Sequence, residues 1–291
     1  MPGYRDIKNK ISSIKKTQQI TKAMNMVAAA KLRGAQVRME SFRPYAEKFA
    51  SVMGDLSRTA NPSAFPLMAV RPVRNILILL VTSDRGLCGS FNTNLIATAE
   101  KYAKAQTEQG RSVKFACIGR KGANYFRKSR YEILTQSVGI MGTVQMFNAR
   151  QVGQEIIRYF VDGVVDEVQL LYGRFINVIT QRPTLKKLLP ISSEGLEETS
   201  EHAQKPVYTY EPDPEQILNQ LMPMYVNVQI MHGMLETAAS EQAARMTAMD
   251  KASRACKDMI VSLTMTYNKA RQAAITKELM DIVGGAEALK G

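Results

Sequence analysis

The residues best placed to do chemistry lie in one short stretch, Ser83-Asp84-Arg85-Gly86-Leu87-Cys88-Gly89-Ser90, which follows the apolar run Asn75–Thr82. A glycine-bearing turn between a strand and a helix is where phosphate-binding loops sit. Here the G-x-x-G spacing matches neither G-x-G-x-x-G nor G-x-x-x-x-G-K-[ST], so a tight structural turn is the favoured reading over a nucleotide site. Cys88 could act as a nucleophile if a helix N-terminus lowered its thiol pKa. It would need a base, and the two histidines, His202 and His232, are remote in sequence. A semi-buried, unreactive cysteine is the better reading. Cys88, Cys117 and Cys256 show no CxxC spacing, which argues against a disulfide framework or a structural zinc and fits a reducing compartment. No catalytic residue, cofactor site or metal site is expected.

The elements around this stretch follow two grammars. From Gly3 to about Ser57, alternating steps of four and three from Ile7 visit Ile11, Ile14, Gln18, Thr21, Asn25, Ala28, Leu32, Ala35, Met39, Phe42, Ala46, Phe49, Met53 and Leu56. All but Gln18, Thr21 and Asn25 are apolar or small, and a sustained 3.5-residue repeat marks a coiled-coil seam. Pro44 is expected to kink or split this helix. As one helix it would be roughly 80 Å long, more than a compact domain of this size can contain, so it must protrude. Residues 59–74 hold three prolines and read as a linker.

The pattern then changes. Strands are expected at Asn75–Thr82, Val113–Ile118, Glu132–Gln136, Glu167–Tyr172 and Phe175–Thr180, with helices near Asn92–Thr107, Lys121–Lys128 and Val144–Val161. Strands alternating with helices imply a largely parallel sheet covered on both faces. Residues 190–212 read as loop. From about Asp213 the helical pattern resumes, with Pro223 near its start, through Ile217, Leu221, Met224, Val228, Met231, Leu235, Ala238, Gln242, Arg245, Met249, Ala252, Cys256, Met259, Leu263, Thr266, Ala270 and Ala273. Gly284-Gly285 is its expected stop. The domains are therefore a helix over 1–58, an α/β domain over 75–190 and a second helix over 213–288. Each long helix has a seam that needs a partner, and the simplest partner is the other helix, folded back antiparallel. The second is the longer, so its tip is expected to project alone.

Composition narrows the function. The 291-residue chain carries 39 Lys and Arg against 26 Asp and Glu, a formal charge of +13. Residues 1–58 hold 12 basic and 4 acidic residues, so 12 − 4 = +8 of that excess lies at the N-terminal end. Such a surface seeks an acidic partner: nucleic acid, anionic lipid or an acidic protein face. Lys15, Lys16, Lys22, Lys31 and Arg33 could grip phosphates, which keeps a basic helical nucleic-acid binder as the alternative. Against it, these charges flank an apolar seam and no base-reading module is visible. The start of the chain has no apolar segment typical of a secretory signal, and no run is long enough to span a bilayer. Of 17 methionines, 14 fall in the two helical segments, 5 in 1–58 and 9 in 213–291. Flexible thioethers suit contacts that must fit several partners or orientations. A protruding shaft with adaptable contacts is a binding device rather than an active site.

With these residues in view, the whole chain resembles the γ-subunit family of the F-type ATP synthases. The resemblance rests on TQQITKAMNMVAAAKLR, SDRGLCGSFN, YEPDP, ASEQAARMTAM and, most specifically, YNKARQAAITKELMDIVGGAEAL. It implies an α/β fold class, with the N- and C-terminal helices forming an antiparallel coiled coil and an inserted Rossmann-like domain. It also implies a non-catalytic rotor: a central stalk that couples ion flow through a membrane ring to rotary change in the β subunits. Implied partners are three α and three β subunits around the coil, an ε subunit and the membrane c-ring, with no nucleic acid and no small-molecule substrate. The implied location is peripheral, on the cytoplasmic face of the energy-transducing bacterial membrane, within the F1 sector.

Residue by residue, Arg271 and Gln272 resemble the pair that hydrogen-bonds a β-subunit catch loop. Lys22 and Met24 resemble the residues facing the acidic β lever loop. Thr276, Glu278, Leu279, Met280, Ile282 and Val283 resemble a tip running in an apolar bearing, and Tyr208 and Tyr210 resemble residues on the membrane-ring side. Redox-switched photosynthetic members carry a cysteine-bearing insert. Residues 190–212 hold no cysteine, so thiol regulation is not expected.

Overall fold

The computed structural model describes residues 4–59, 65–191 and 214–288. Two long helices, α1 (Tyr4–Thr59) and α5 (Pro214–Ala288), bracket β1 (Asn75–Val81), α2 (Phe91–Glu108), β2 (Ser112–Ile118), α3 (Arg120–Phe126), β3 (Glu132–Ser137), α4 (Met146–Val161), β4 (Glu167–Phe175) and β5 (Gln181–Leu189). The chain packs as two units, Met1–Ala28 with Met246–Gly291, and Ala29–Arg245. Both long helices contribute to each.

The larger unit is built on a five-stranded sheet in the order β3-β2-β1-β4-β5. β1 runs parallel to β2 and β4, β2 parallel to β3, and β5 closes one edge antiparallel to β4. β1 is the central strand, and Ile76 to Val81 are all fully buried, as a run with no polar alternation requires. On one face Ile76, Ile78, Leu80, Val113, Phe115 and Cys117 pack against Leu95 and Ala99 of α2 and Ala123 and Phe126 of α3. Phe115 and Phe126 stack with ring centroids 3.9 Å apart. Against β4, a Cβ on Gly233 of α5 would stand 3.3 Å from Leu170 and 3.4 Å from Tyr172. Within this unit α1 and α5 run antiparallel, since Arg43 meets Glu236 while Phe49, later in α1, stacks on Tyr225, earlier in α5.

The seam of α1 holds along its length. All fifteen of its positions are buried or half-buried, with Met53 and Leu56 closed to solvent. Several other expectations need correction. The helix runs unbroken through Pro44 rather than splitting there. Residues 59–74 are not a free linker where described, because Phe65, Leu67 and Met68 are buried and the Ile191 N–H donates to Leu67 O at 2.9 Å.

Of the segment Phe175–Thr180 only Phe175 is in a strand, as the end of β4, and residues 176–180 are not. Asn177 Oδ1 accepts from the N–H groups of Ile179 and Thr180, at 2.9 and 2.7 Å, so its side chain folds the segment into a turn. Ile179 is left 85% exposed at the tip. The strand follows at Gln181–Leu189, where Pro183 and two lysines hide it from a pattern search. An edge strand tolerates a residue with no N–H to donate.

In α5 the seam shifts at alternate positions after Cys256. Leu263 and Ala270 are half-buried as expected, but Met259, Thr266 and Ala273 are exposed, with Ile260, Tyr267 and Ala274 half-buried in their place. The helix also passes Gly284-Gly285 and continues to Ala288. Neither glycine takes a positive φ, and a helical glycine lowers stability without forcing a stop.

Candidate functional site

The stretch after β1 is a structural knot. Asn92, at the start of α2, accepts from the Ser83 N–H at 3.1 Å, and its amide donates to Ser83 Oγ at 2.7 Å and Cys88 Sγ at 3.1 Å. Asp84 accepts three backbone N–H bonds: Arg120 at 3.0 Å, Gly139 at 2.8 Å and Met141 at 3.1 Å. A carboxylate of the chain itself thus takes donors that a bound anion would need. Leu87 adopts φ +62°, which marks the turn as held by its surroundings. Burial pushes the Cys88 thiol up, and Arg245 opposes this only in part. A buried thiol held in its neutral form is a poor nucleophile. Burial likewise pushes Cys117 up to about 12. Among the described residues no cluster of His, Cys, Asp and Glu gathers as a metal site, and no helix is long and apolar enough to cross a membrane.

In a sheet of this order, ligands enter the crevice beyond the C-terminal ends of the strands where the order reverses, here between β1 and β4. That crevice is filled by α5. β1 pairs with β4 only as far as Leu171, so on the β1 side the backbone of Gly173 and Phe175 has no strand beside it, while β5 covers the other side. Side chains of α5 take the strand's place. Thr237 Oγ1 accepts from the Gly173 N–H at 3.1 Å, Ser240 Oγ donates to Gly173 O at 2.9 Å, and Glu236 Oε2 accepts from the Phe175 N–H at 2.7 Å. The other Glu236 oxygen accepts from Arg43 of α1, at 3.1 Å from Nε and 2.6 Å from Nη2. Further along α5, Arg245 bridges Glu241 Oε1 at 2.6 Å and Gly86 O at 3.1 Å, locking the β1 turn to the helix. Burial pushes the Glu241 carboxyl up, with Arg245 pulling the other way. His232 lies 3.9 Å from Glu236, but burial lowers its pKa to about 4, so at neutral pH it is an uncharged neighbour and not an ion-pair partner.

The opposite character appears at the far end of α5. Every residue from Ile275 to Ala286 is exposed, including Leu279 at 58%, Met280 at 67%, Ile282 at 71% and Val283 at 50%. Thr276 and Glu278 are exposed with them. Arg271 and Gln272 lie on the same helix, both exposed, with the guanidinium 6.0 Å from the Tyr267 ring centroid and Gln272 O accepting from Thr276 Oγ1 at 3.0 Å. In the same unit Lys22 is exposed and Met24 half-buried, and nearby Asn25 Nδ2 donates to Met246 O at 2.8 Å. Tyr208 and Tyr210 lie outside the described residues.

A family model described as ATP synthase matches residues 3–289. The chain is 53% identical to an ATP synthase gamma chain of Nitratidesulfovibrio vulgaris and 50% identical to one of Desulfotalea psychrophila, in both cases over all of both chains. It belongs to the ATP synthase gamma-chain family. Among solved structures it is similar to a chain of the Tetrahymena thermophila mitochondrial ATP synthase central stalk and c-ring. That likeness is 26% in sequence with a TM-score of 0.62, over 80% of this chain and 99% of that one. A chain of the Euglena gracilis mitochondrial ATP synthase shares the fold at 21% identity, with a TM-score of 0.68 over 98% and 94%.

As an ATP synthase gamma chain, the molecule holds polar residues that pattern reading missed. Apolar spacing at steps of four and three does not point to Arg43, Glu236, Thr237 or Ser240, because it reports buried apolar positions and is silent on polar side chains. One signal was available. Residues 236–245, ETAASEQAAR, have no large apolar side chain at all, which is odd for a helix expected to bury a stripe.

Proposed function

We propose that the chain is the rotor of an F-type ATP synthase, itself non-catalytic, which couples ion flow through the c-ring to conformational change in the β subunits. The observation that carries this is the exposed apolar end of α5 on a chain of this family. A contiguous run of Leu279, Met280, Ile282 and Val283 in water marks a surface made for a partner. In the proposed assembly three α and three β subunits surround the coil and form an apolar bearing around these residues, with Thr276 and Glu278 beside them. The sheet domain stands on the membrane ring with the ε subunit, Tyr208 and Tyr210 on that side. The complex lies on the cytoplasmic face of the membrane, and this chain is peripheral to it.

Torque is differential contact energy. A shaft whose faces differ offers each β subunit a different set of contacts at each angle, and the states of that subunit shift accordingly. Lys22 and Met24 would meet the acidic lever loop of β, where a point charge needs no fixed partner geometry. Arg271 and Gln272 would meet the catch loop, for which the planar guanidinium is suited because it holds carboxylates and carbonyls in one orientation. Exposure of Lys22, Arg271 and Gln272 supports these roles.

The test is to mix the full chain with α and β subunits and measure ATP hydrolysis across size-exclusion fractions. One copy per three αβ pairs with stimulated hydrolysis is the expected result. Failure of folded partners to assemble with the chain, together with salt-steep DNA binding by the chain alone, would overturn the reading in favour of a nucleic-acid binder.

A further inference from the structure

We infer that Glu236 is a positioning residue that fastens both long helices to the sheet, so that turning of the sheet domain passes into the shaft without slip. This rests on the rotor reading above. A rotor that carries load needs a joint between its foot and its shaft. Apolar packing alone makes a poor one, because it is non-directional and tolerates sliding. Hydrogen bonds to a buried carboxylate are directional and fail only when broken.

Glu236 is built as such a joint. Its side chain is 1% exposed, and its two oxygens reach two other elements, Arg43 of α1 and the Phe175 N–H of β4, tying both to its own helix α5. The backbone N–H it receives has no strand neighbour on that side, so no other group in the sheet replaces the carboxylate if it is lost. Thr237 and Ser240 hold Gly173 in the same way, two residues earlier on β4. They reach only the sheet, whereas Glu236 alone of the three also takes α1. Local opening at this point would free β4 and α1 from α5 together, and under load that opening becomes slip.

The experiment compares assembled, membrane-reconstituted complexes carrying the wild-type chain, Glu236→Ala, Glu236→Gln and Thr237→Ala. ATP hydrolysis and ATP-driven proton uptake are measured on the same vesicles. For Glu236→Ala, protons moved per ATP should fall by about threefold or more while hydrolysis stays within about twofold, because loss of a buried charged acceptor opens the joint. Glu236→Gln keeps the shape and one acceptor oxygen and should lie between, and Thr237→Ala should lie near wild type. Unchanged protons per ATP in Glu236→Ala, or an equal loss in Thr237→Ala, overturns the assignment. If Glu236→Ala does not assemble, the decision passes to Glu236→Gln: intact coupling with unchanged exchange of the Phe175 amide overturns it, and reduced coupling with faster exchange supports it. A wild-type chain that fails to assemble and pump would instead sink the rotor reading itself, which keeps the two failures apart.

Discussion

Two stretches of the same helix invert the usual rule for what goes inside. Between Gln229 and Arg245, α5 buries Gln229, Glu236, Thr237, Ser240, Glu241 and Arg245. Between Leu279 and Val283 it leaves three of its largest apolar side chains more than half exposed. Hydropathy alone would assign both stretches wrongly. The buried stretch is stable because its polar groups have partners: backbone that the short β1 leaves unpaired, plus Arg43 and Gly86. The exposed stretch is stable because helical hydrogen bonds are internal to it, and in the proposed assembly its apolar face is covered by the bearing.

The largest test of this contrast is Gly173→Ala, in the strand that the buried stretch holds. A Cβ there would lie 2.6 Å from the Phe91 ring, which is itself buried. The expected cost is about 3 kcal/mol by urea unfolding of the full chain, from overpacking a site with no room to give. A cost under about 1 kcal/mol would mean that the crevice is looser than its hydrogen bonds imply.

Next comes pH. The unfolded chain takes up the His232 proton near 6.5, the folded chain only near 4. Between those values the unfolded state binds more protons, so stability falls as pH drops through the window. From pH 7 to 4.5 the wild-type chain should lose about 2 kcal/mol more than His232→Gln does. Glu241, with its carboxyl pushed up by burial, acts with the opposite sign. It is common to both chains, as are Glu236, Lys186, Arg43 and Arg174 around the imidazole, so the difference isolates His232.

At the exposed end the same kinds of change should be mild or favourable. Gly284→Ala meets nothing within 4 Å and should raise helicity, worth up to about 1 kcal/mol for that turn, read by circular dichroism. Smallest of all in stability is Leu279→Ala, expected within about 0.5 kcal/mol of wild type because the side chain is more than half exposed. Its effect should appear only in the assembled complex, as altered ATP hydrolysis. Arg271→Ala should behave alike, slowing hydrolysis by the complex with no change in the unfolding midpoint. A destabilised Leu279→Ala chain would show that this end is held by contacts of its own.

The parts legible in the sequence were those governed by local repetition. Ile7 to Leu56 gave the α1 seam, because a 3.5-residue period leaves little freedom once one position is buried. Asn75–Val81 read as a central strand because unbroken apolar runs of that length need cover on both faces. Arg271 and Lys22 were reached through family motifs, and their exposure follows from lying off the seam. Other features were illegible for stated physical reasons. β5 was masked by Pro183 and its lysines, which only an edge position permits, and Ile176-Asn177-Val178-Ile179 has strand composition but is bent by one side-chain amide. In α5 after Cys256, Leu263 and Ala270 kept their places on the seam, but the alternate positions moved by one because Met259 and Ile260, or Thr266 and Tyr267, are adjacent, and hydropathy cannot say which of the two is buried.

The sequence by itself determined that there would be two long helices, a buried parallel sheet between them and a tight turn after β1, since each depends on the periodicity or φ preferences of neighbouring residues. Only the tertiary structure decided that ETAASEQAAR would fill the crevice where such a sheet usually takes a ligand. The reason is that β1 ends before β4 does. A polar helix face is stable inside only where another element leaves backbone groups unpaired, and that is a property of two distant segments at once. Glu236 therefore gains its meaning from Arg43 and Phe175, 193 and 61 residues away.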